Sequence, residues 1–379
     1  MKAGPGHTLR VGYNGNGYVE ERLLKGLPYR SVELIRKRDF FNALAFVRRK
    51  FNAPPNATSL LGGLHQDFGL ADVSLFHLLN RISLASTPWV ATYEHYLPRW
   101  NWDAPLGWRH MAAPPCKKLI AISQWAQRFQ ESLLARHPEI ADIIRTKMCV
   151  ITPGQQLLIN EYDEKVLDTE IISFAFVGGD FFRKGGMEVL EVFAQLVARH
   201  FPLHLTIVSG LAYGDYASHT TEEDYQRALA LIDQMGRCAT HIHYLKNDQV
   251  LELLTRTHVS LLPTYDDTYG FSVLEAQAAG CPVITTDGCA LPEVNDDLTG
   301  WVIKVPKDEH NIPRHRTREE RDRLSASIRE DLLRIVQEIC ERPSTIPTKG
   351  RHALERIRRE RRLEDRAALL ESIYAEAAG

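Results

Sequence analysis

The chain has 379 residues, of which 44% are hydrophobic and 25% are charged, and its formal net charge is −2. This composition is ordinary for a folded protein and excludes a disordered chain, a collagen and a small disulfide scaffold. A protein that coats nucleic acid is usually strongly basic, so we expect no nucleic-acid partner. The length predicts two or three domains, because a single core rarely grows beyond about 250–300 residues.

The sequence indicates a reduced, cytoplasmic protein. No two cysteines form a Cys-x-x-Cys pair, which favours free thiols over disulfides. The apolar runs fall short of the roughly 18 residues that span a bilayer, and Met1–Arg10 lacks the apolar core of a secretory signal. His241 and His243 have no nearby partners that would complete a zinc site, so we expect no metal there.

In the first half, short apolar runs alternate with longer amphipathic ones, which is typical of an α/β fold with a parallel sheet. The first predicted strand, Leu9–Tyr13, precedes a turn with Gly15 and Gly17, and a helix follows from Asp39 to about Lys50. The other predicted strands of this half are 31–35, 73–76, 89–92, 118–122 and 148–151.

The same alternation begins again after the polar stretch 160–170, and glycines at 178 and 179 lead into a helix from about Gly186. The strands predicted here are 171–177, 203–208, 241–244, 259–262 and 282–285. We therefore expect two Rossmann-like domains that face each other across a cleft, followed by a C-terminal helical tail. The predicted divisions are a first domain at 1–158, a second domain at 159–345, and C-terminal helices at 346–379 that pack back on the first domain.

The tail reads as helix from Pro306 onward. An apolar stripe is predicted from Leu354, Ile357, Leu369, Leu370 and Ile373. Arginines between 351 and 366 are interleaved with acids, which favours a solvated helix with i,i+4 ion pairs over a nucleic-acid patch.

The most informative stretch for chemistry runs from residue 263 to 284. A buried strand ends there, and after a polar loop Gly270 and Phe271 open a helix. The start of a helix presents backbone N–H groups and a partial positive charge, which stabilise an anion such as a diphosphate. Asp267 precedes this start, and Glu275 lies about one turn inside the helix, within reach of a ribose or sugar hydroxyl.

This stretch resembles the nucleotide-sugar signature of retaining GT-B glycosyltransferases, specifically glycosyltransferase family 4 (group 1). That signature has two acids separated by seven residues, a Phe-Gly pair between them, and an Ala-x-Gly-x-Pro-Val-Ile tail. Here the acids are Asp267, where the family usually has Glu, and Glu275, while the pair reads Tyr269-Gly270 and the tail is 278–284.

A second segment, 176–185, resembles the family's strand and loop that carry an Arg and a Lys to the donor diphosphate. Lys184 matches the family's lysine. Gly179 stands at the usual Arg position, and we expect Arg183 to serve in its place. Gly15 and Gly17 match a glycine loop that faces the donor phosphate and the acceptor, although a plain tight turn explains them equally well.

The resemblance implies transfer of a sugar from a nucleotide-sugar donor to a hydroxyl acceptor (a glycan, a lipid-linked or a lipopolysaccharide-type acceptor), with retention and without a metal. No cofactor is expected, since the nucleotide sugar is a substrate, and the sequence contains no Asp-x-Asp motif. Arg183 and Lys184 would bind the diphosphate and stabilise its growing charge. Glu275 would bind the ribose, and Asp267, Gly270 and Phe271 would orient the sugar.

In the first half, Glu94 and His95 end a predicted strand where the family often has His-Asp. His95 is a candidate to contact the sugar, and Glu94 to accept the acceptor's proton. The alternative for His95 is a structural histidine. Trp100, Trp102 and Trp108 follow, for which we favour a packed loop over an acceptor site.

Phe40, Leu44 and Val47 form an apolar face between the basic clusters 36–38 and 48–50. Two interpretations stay open. We prefer an ordinary helix that covers the sheet. The other is a helix on an anionic membrane, which would give peripheral contact with the cytoplasmic face.

Three rival functions also stay open. The first is a nucleotide-sugar epimerase or hydrolase on the same fold. The second is a dinucleotide-dependent oxidoreductase, because Gly15 and Gly17 follow a strand and Glu33 lies in the next one, although Glu20 replaces the third glycine of that fingerprint. The third is a catalytically inactive binding subunit, for which Asp267 and Gly179 are the hints.

Overall fold

The computed structural model describes residues 8–15, 17–37, 40–41, 43–44, 60–168 and 170–379. The chain divides into two compact units. The first contains Met1–Gly154 together with Arg361–Gly379, and the second contains Gln155–Glu360. The tail that we set apart as 346–379 is thus shared between the units, and the chain passes from one unit to the other twice.

The first unit is built on a six-stranded parallel sheet with strand order β2-β1-β4-β6-β7-β8. Its strands are β1 (Leu9–Tyr13), β2 (Val32–Arg36), β4 (Leu75–Leu79), β6 (Trp89–Tyr93), β7 (Cys116–Ala121) and β8 (Met148–Val150), and a separate parallel pair is formed by β3 (Leu64–His65) and β5 (Ile82–Ser83). Its helices are α1 (Tyr18–Leu24), α2 (Leu60–Gly63), α3 (Pro105–Ala112), α4 (Gln124–Leu134), α5 (Pro138–Lys147) and the last helix of the chain, α12 (Leu363–Ala378).

The second unit repeats this plan with strand order β11-β10-β9-β12-β13-β14, again all parallel. Its strands are β9 (Ile172–Val177), β10 (Leu203–Val208), β11 (Ala239–Ile242), β12 (Val259–Leu262), β13 (Val283–Thr286) and β14 (Gly300–Ile303). Its helices are α6 (Gly186–Ala198), α7 (Glu222–Met235), α8 (Asn247–Thr255), α9 (Phe271–Ala278), α10 (Arg318–Glu341) and α11 (Thr345–Glu360), with 3-10 turns at Tyr162–Glu164, Gly236–Cys238 and Leu291–Glu293.

The predicted α/β class with two Rossmann-like sheets is confirmed, and the bounds of β1, β10 and β12 match the predicted strands. Other strand ends shift by one to three residues. The two-residue strands β3 and β5 and the four-residue strand β14 were not predicted. The predicted helix between Asp39 and Lys50 lies largely outside the described residues.

The tail becomes helical later than predicted, at Arg318 instead of Pro306. The intervening segment contains Pro306 and Pro313, which cannot donate backbone hydrogen bonds, and Asn311 with a left-handed φ of 64°. Leu369 was expected in the apolar stripe but is 54% exposed, whereas Leu354, Ile357 and Leu370 are buried.

The last helix, α12, is anchored in the first unit by two buried polar groups. Arg366 is 3% exposed, and its guanidinium donates to the carbonyls of Leu23 (3.3 Å), Ile151 (2.9 Å) and Thr152 (2.6 Å). The His77 ring bonds Tyr374 of α12 (2.6 Å) and Thr92 (2.7 Å). Burial lowers the pKa of His77 to about 3, so the ring is neutral near pH 7. The expectation of a solvated tail is therefore wrong at Arg366.

The six cysteines are free thiols. Within the described part of the chain, we find no helix with the length and apolar character needed to cross a membrane.

Candidate functional site

Apart from Gly15 and Gly17, which lie in the first unit, the residues predicted to bind a donor lie on two loops and the helix α9 of the second unit. Strand β9 lies between β10 and β12, so the order of the strands reverses there. In open α/β sheets, ligands bind at such a switch point, beyond the carboxyl ends of the strands. The loop after β9 (178–185, loop A) carries Arg183 and Lys184, and the loop after β12 (263–270, loop B) carries Asp267 and Gly270.

The two loops are joined through their backbones. The Arg183 carbonyl accepts hydrogen bonds from the Tyr265 amide (2.9 Å) and the Thr264 hydroxyl (3.2 Å). Gly185 has a left-handed φ of 80°, and a Cβ on it would overlap the carbonyl oxygen of Pro263. Only glycine accommodates both constraints. Any side chain at position 185 would therefore prevent the close contact between loop A and loop B.

Lys184 and Asp267 meet across this junction. The distance from Lys184 Nζ to Asp267 Oδ2 is 3.5 Å, and each side chain is 16% exposed. Gly178 makes room for the lysine stem, because a Cβ there would lie 2.5 Å from Lys184 Cδ. The structure therefore brings together two of the residues that the sequence singled out.

Arg183 is held by acids and backbone on both loops. Its guanidinium donates to the carboxylate of Asp180 and to the carbonyl of Asp266, and it lies 5.8 Å from the ring centroid of Tyr216. The pKa of Arg183 is raised: burial lowers it, but the hydrogen bond and charge of Asp180 outweigh burial. The guanidinium is thus a fixed positive charge beside Lys184.

Asp267 also closes the start of α9. Its Oδ1 accepts from the amides of Tyr269 (3.1 Å) and Gly270 (2.8 Å). Gly270 has a φ of 86°, and a Cβ there would lie 2.7 Å from Leu291 Cδ2. The carboxylate of Asp267 thus accepts the amide of Gly270, the residue before the helix, and ligand binding by the helix start stays a prediction.

Glu275 lies in α9, one turn beyond Phe271, and is 8% exposed. Tyr269, where the family has Phe, is buried with 1% exposure, and its ring centroid lies 5.4 Å from that of Phe271. The aromatic position of the motif is thus part of the core beneath loop B.

Sequence reasoning missed three residues around the loops: Glu188, Tyr265 and Tyr216. The Tyr265 hydroxyl donates to Glu188 Oε1 (2.7 Å), and the hydroxyl of the exposed Tyr216 donates to the Asp266 carboxylate. Glu188 is 4% exposed, and burial raises its pKa against the lowering effect of hydrogen bonds from Ser325 and Tyr265. The signal for Glu188 in the sequence was an acidic residue next to Val189 and Leu190, at a helix position expected to face inward.

In the glycine loop of the first unit, backbone polar groups are hydrogen-bonded to side chains of β2 and α1. Gly15 has a φ of 67°, and its carbonyl accepts from Arg36 (2.6 Å), while the amide of Asn14 donates to the buried Glu20 (3.1 Å). Gly17 begins α1 with extended backbone, and no atom lies within 4 Å of a Cβ built on it.

Glu94 and His95 follow β6 in the first unit, as predicted from the sequence. Asn80 donates to Glu94 Oε2 (2.6 Å) and accepts from the Glu94 amide (3.0 Å). The His95 ring packs against Trp125 (4.7 Å) and Phe129 (4.3 Å). Both side chains are therefore held within this unit, and their predicted chemical roles stay predictions.

The tryptophans after His95 have different surroundings, since Trp108 lies in α3 and Trp102 is 38% exposed. The Trp108 indole is buried and donates to the Trp102 carbonyl (2.9 Å), and Trp100 packs beside Gly63. As regards metals, no group of three or more His, Cys, Asp or Glu side chains suited to hold an ion occurs in the residues that the structure describes.

Similarity to solved structures defines the class of fold. A glycosyltransferase from Rickettsia africae superimposes with a TM-score of 0.59 at 14% identity, covering 98% of this chain and 90% of that one. WaaG, a glycosyltransferase of lipopolysaccharide biosynthesis, gives a TM-score of 0.55 at 17% identity, covering 99% and 92%. The fold is that of the GT-B glycosyltransferases, with two Rossmann-like domains.

Sequence comparison finds a matching domain family and related proteins. Residues 160–326 match the family described as glycosyl transferases group 1. The glycogen synthase of Mycobacterium tuberculosis is 23% identical over 199 residues (51% of this chain and 46% of that protein). The lipopolysaccharide glucosyltransferase WaaG of Escherichia coli K12 is 30% identical over 138 residues (36% and 34%). These alignments cover less than half the length of either relative. The matched segment contains loops A and B and α9.

The junction of the loops can be tested by a matched pair of glycine substitutions. We expect Gly185→Ala to lower the free energy of unfolding by about 2–5 kcal/mol, because it adds both a left-handed alanine and a steric overlap. Gly179→Ala lies in the same loop with no atom within 4 Å of its Cβ and should change stability by about 0.5 kcal/mol or less. Urea unfolding followed by circular dichroism measures both, and equal effects would contradict the assigned contact.

Proposed function

We propose that this chain is a glycosyltransferase that moves a sugar from a nucleotide-sugar donor to a hydroxyl acceptor. The observation that carries the proposal is the junction of loops A and B, where Arg183, Lys184 and Asp267 meet before the start of α9 at the switch point of the sheet. The group 1 match over the same residues supports it.

The arrangement suits a reaction in which a diphosphate leaves. When the bond between the sugar and the phosphate breaks, negative charge grows on the nucleoside diphosphate, and fixed cations stabilise that charge. At 3.5 Å, the Lys184–Asp267 pair is longer than a charge-assisted hydrogen bond of roughly 2.7–2.9 Å. The ammonium is therefore kept in place by Asp267 but remains able to bind a phosphate oxygen.

The finer features of the proposal rest on the family resemblance. We infer retention by a front-face displacement: the acceptor oxygen bonds to the anomeric carbon on the face that the diphosphate leaves, and the leaving phosphate oxygen takes the acceptor's proton. No protein nucleophile and no metal take part. Glu275 binds the donor ribose, and Gly270, Phe271 and Asp267 orient the sugar.

The names of the similar proteins suggest which ligands to test first. Structures of Anabaena HepE hold UDP, or UDP with glucose, and WaaG is a lipopolysaccharide glucosyltransferase. UDP-glucose is therefore the first donor to test, and a glycan or lipid-linked saccharide of lipopolysaccharide type the first acceptor. Release of free sugar or of an epimer, without transfer, would favour the rival hydrolase or epimerase.

The oxidoreductase alternative is disfavoured by the first unit. The carboxylate of Glu20 stands where the dinucleotide fingerprint has its third glycine, and it accepts the Asn14 amide at 3.1 Å. Glu33, the candidate ribose ligand, lies 3.7 Å from the guanidinium of Arg10. A spectroscopic titration with NADH should accordingly show no binding.

The donor site is tested by Lys184→Ala and Glu275→Ala. Thermal-shift screening with UDP-glucose, GDP-mannose and ADP-glucose first identifies the donor, since a ligand of the folded state raises its stability. Each variant should weaken donor binding about tenfold or more, as expected for loss of a charged hydrogen bond of roughly 1.5–3 kcal/mol. Lys304→Ala is the control, because its ammonium also lies 3.5 Å from an aspartate, Asp287, but follows a different strand. Near-normal binding by either site variant would refute the assignment.

Whether Arg183 serves in place of the family's usual arginine can be tested by moving the positive charge from position 183 to position 179. Arg183→Ala should weaken binding of the donor about tenfold. Adding Gly179→Arg should restore most of the affinity, because the space around Gly179 is open to 4 Å. Gly179→Gln in the same background supplies length without charge and should not restore it. If the arginine fails to rescue, Arg183 does not act on the diphosphate.

We further propose that the first unit contacts an anionic membrane when it meets a lipid-linked acceptor. Phe40, Phe68 and Leu70 are 49%, 64% and 86% exposed, and the rings of Phe40 and Phe68 lie 5.6 Å apart. The neighbouring sequence is basic at 36–38 and 48–50. Exposed aromatic side chains beside basic residues favour the surface of an anionic bilayer.

Sedimentation with vesicles tests this contact. The protein should bind phosphatidylcholine vesicles that contain about 30% phosphatidylglycerol, an anionic lipid, more strongly than vesicles of pure phosphatidylcholine. Phe68→Ser with Leu70→Ser should reduce binding about a hundredfold or more, since burial of each of the two large apolar groups contributes roughly 1.5–3 kcal/mol. Val166→Ser, which removes an equally exposed apolar residue (82%) from the second unit, should not. Equal binding to both kinds of vesicle would contradict the proposal.

A further inference from the structure

A buried carboxylate lies behind loop B. Glu188, in the first turn of α6, is 4% exposed. Its Oε1 accepts hydrogen bonds from the Tyr265 hydroxyl at 2.7 Å and from the Ser325 hydroxyl at 2.6 Å. Tyr265 belongs to loop B and Ser325 to α10, so one carboxylate oxygen joins three separate elements of the second unit.

Tyr265 is the point at which loop B is held on both sides. Its amide donates to the carbonyl of Arg183 in loop A (2.9 Å), while its hydroxyl donates to Glu188. Its ring is buried, with 6% exposed. The two residues that follow it are Asp266, whose carbonyl accepts from Arg183, and Asp267, which pairs with Lys184.

The other charges near Glu188 are already paired. Glu191, one turn further along α6, accepts from Arg227 (2.6 Å) and from Arg329 (2.8 Å). In the described part of the chain, the Glu188 carboxylate accepts from its own backbone amide and from the hydroxyls of Tyr265 and Ser325. A buried carboxyl group requires such donors, because leaving it without them costs the full desolvation of the group, and this requirement fixes the rotamer of Tyr265.

We propose that Glu188 is a positioning residue of the donor site, which holds Tyr265 and thereby sets loop B at the distance that joins Lys184 to Asp267. It touches neither donor nor acceptor. The inference rests on the proposed function for its consequence in binding, but the ordering of loop B by Glu188 is a property of the protein alone. The two are therefore measured separately.

The ordering is measured without any ligand, by hydrogen–deuterium exchange of residues 263–270. Tyr265→Phe removes only the hydroxyl that reaches Glu188 and keeps the buried ring. It should speed exchange of loop B about tenfold, as should Glu188→Leu, whereas Glu188→Gln, which keeps an oxygen acceptor, should return exchange toward that of the unaltered protein. Ser325→Ala is the matched control, since it removes a hydrogen bond to the same oxygen from a helix outside the loop, and it should leave loop B unchanged.

The consequence is measured as the dissociation constants of UDP, GDP and ADP by calorimetry. Whichever nucleotide binds the unaltered protein should bind Tyr265→Phe five- to tenfold more weakly, and Ser325→Ala within twofold. Adding Tyr265→Phe to Glu188→Leu should weaken binding no further, since both substitutions remove the same hydrogen bond between Tyr265 and Glu188. If Glu188→Leu fails to fold, Tyr265→Phe decides alone.

Each outcome bears on one proposal. Unchanged exchange in Tyr265→Phe, or an equal change in Ser325→Ala, would overturn the positioning role. Faster exchange with no binding of any of the three nucleotides by the unaltered protein would support the positioning role and count against the proposed function. Faster exchange with unaltered affinity would show that Glu188 orders the loop but does not position a donor site.

Discussion

The site of the second unit depends on a contact that only a residue without a side chain can make. At Gly185 the backbone turns left-handed and touches the carbonyl of Pro263, which brings loop A against loop B. The hydrogen bonds from Tyr265 and Thr264 to the Arg183 carbonyl form across the same junction. Arg183 and Lys184 belong to loop A, and Asp266 and Asp267 belong to loop B, so the close backbone contact is the reason that Lys184 and Asp267 meet.

Charge balance follows from this junction. Arg183 and Lys184 are opposed by Asp180, Asp266 and Asp267, and the acids hold the cations in fixed positions. A cation that is already oriented need not reorganise when negative charge develops beside it, which is the condition under which electrostatic stabilisation is most effective. Asp267 also accepts the amides of Tyr269 and Gly270. A shorter acid than the family's usual Glu therefore joins the lysine to the start of α9.

Features that are local in the chain could be read from the sequence, and features made by distant residues could not. The strands β1, β10 and β12 are short buried runs, and each can be recognised without knowledge of its neighbours. Lys184, Asp267 and Glu275 stand at fixed spacings in two compact motifs. Glu188 and Tyr265 lie 77 positions apart, and neither is unusual in its own segment. Their pairing depends on the packing of α6 behind loop B.

Arg366 illustrates the same limit in the first unit. A charged tail predicts solvated helices, and Arg351, Arg359 and Arg362 are exposed. Arg366 is buried because three carbonyls from Leu23, Ile151 and Thr152 converge on it. Carbonyls belong to every residue and leave no trace in composition. The burial of this cation was therefore decided by tertiary structure alone.

In each unit a loop follows the first strand of the six-stranded sheet, and the two loops differ in the groups that bind their polar atoms. In the first unit, the loop after β1 has its backbone polar groups taken by Arg36 and Glu20. In the second, the loop after β9 presents side chains, Arg183 and Lys184, whose partners are charged groups that an anionic ligand can replace. The Asp180 and Asp267 side chains are 63% and 16% exposed, whereas Glu20 is 3% exposed and accepts a backbone amide, so a diphosphate competes less well with Glu20. The physical difference between these two loops is the reason for placing the donor on the second unit.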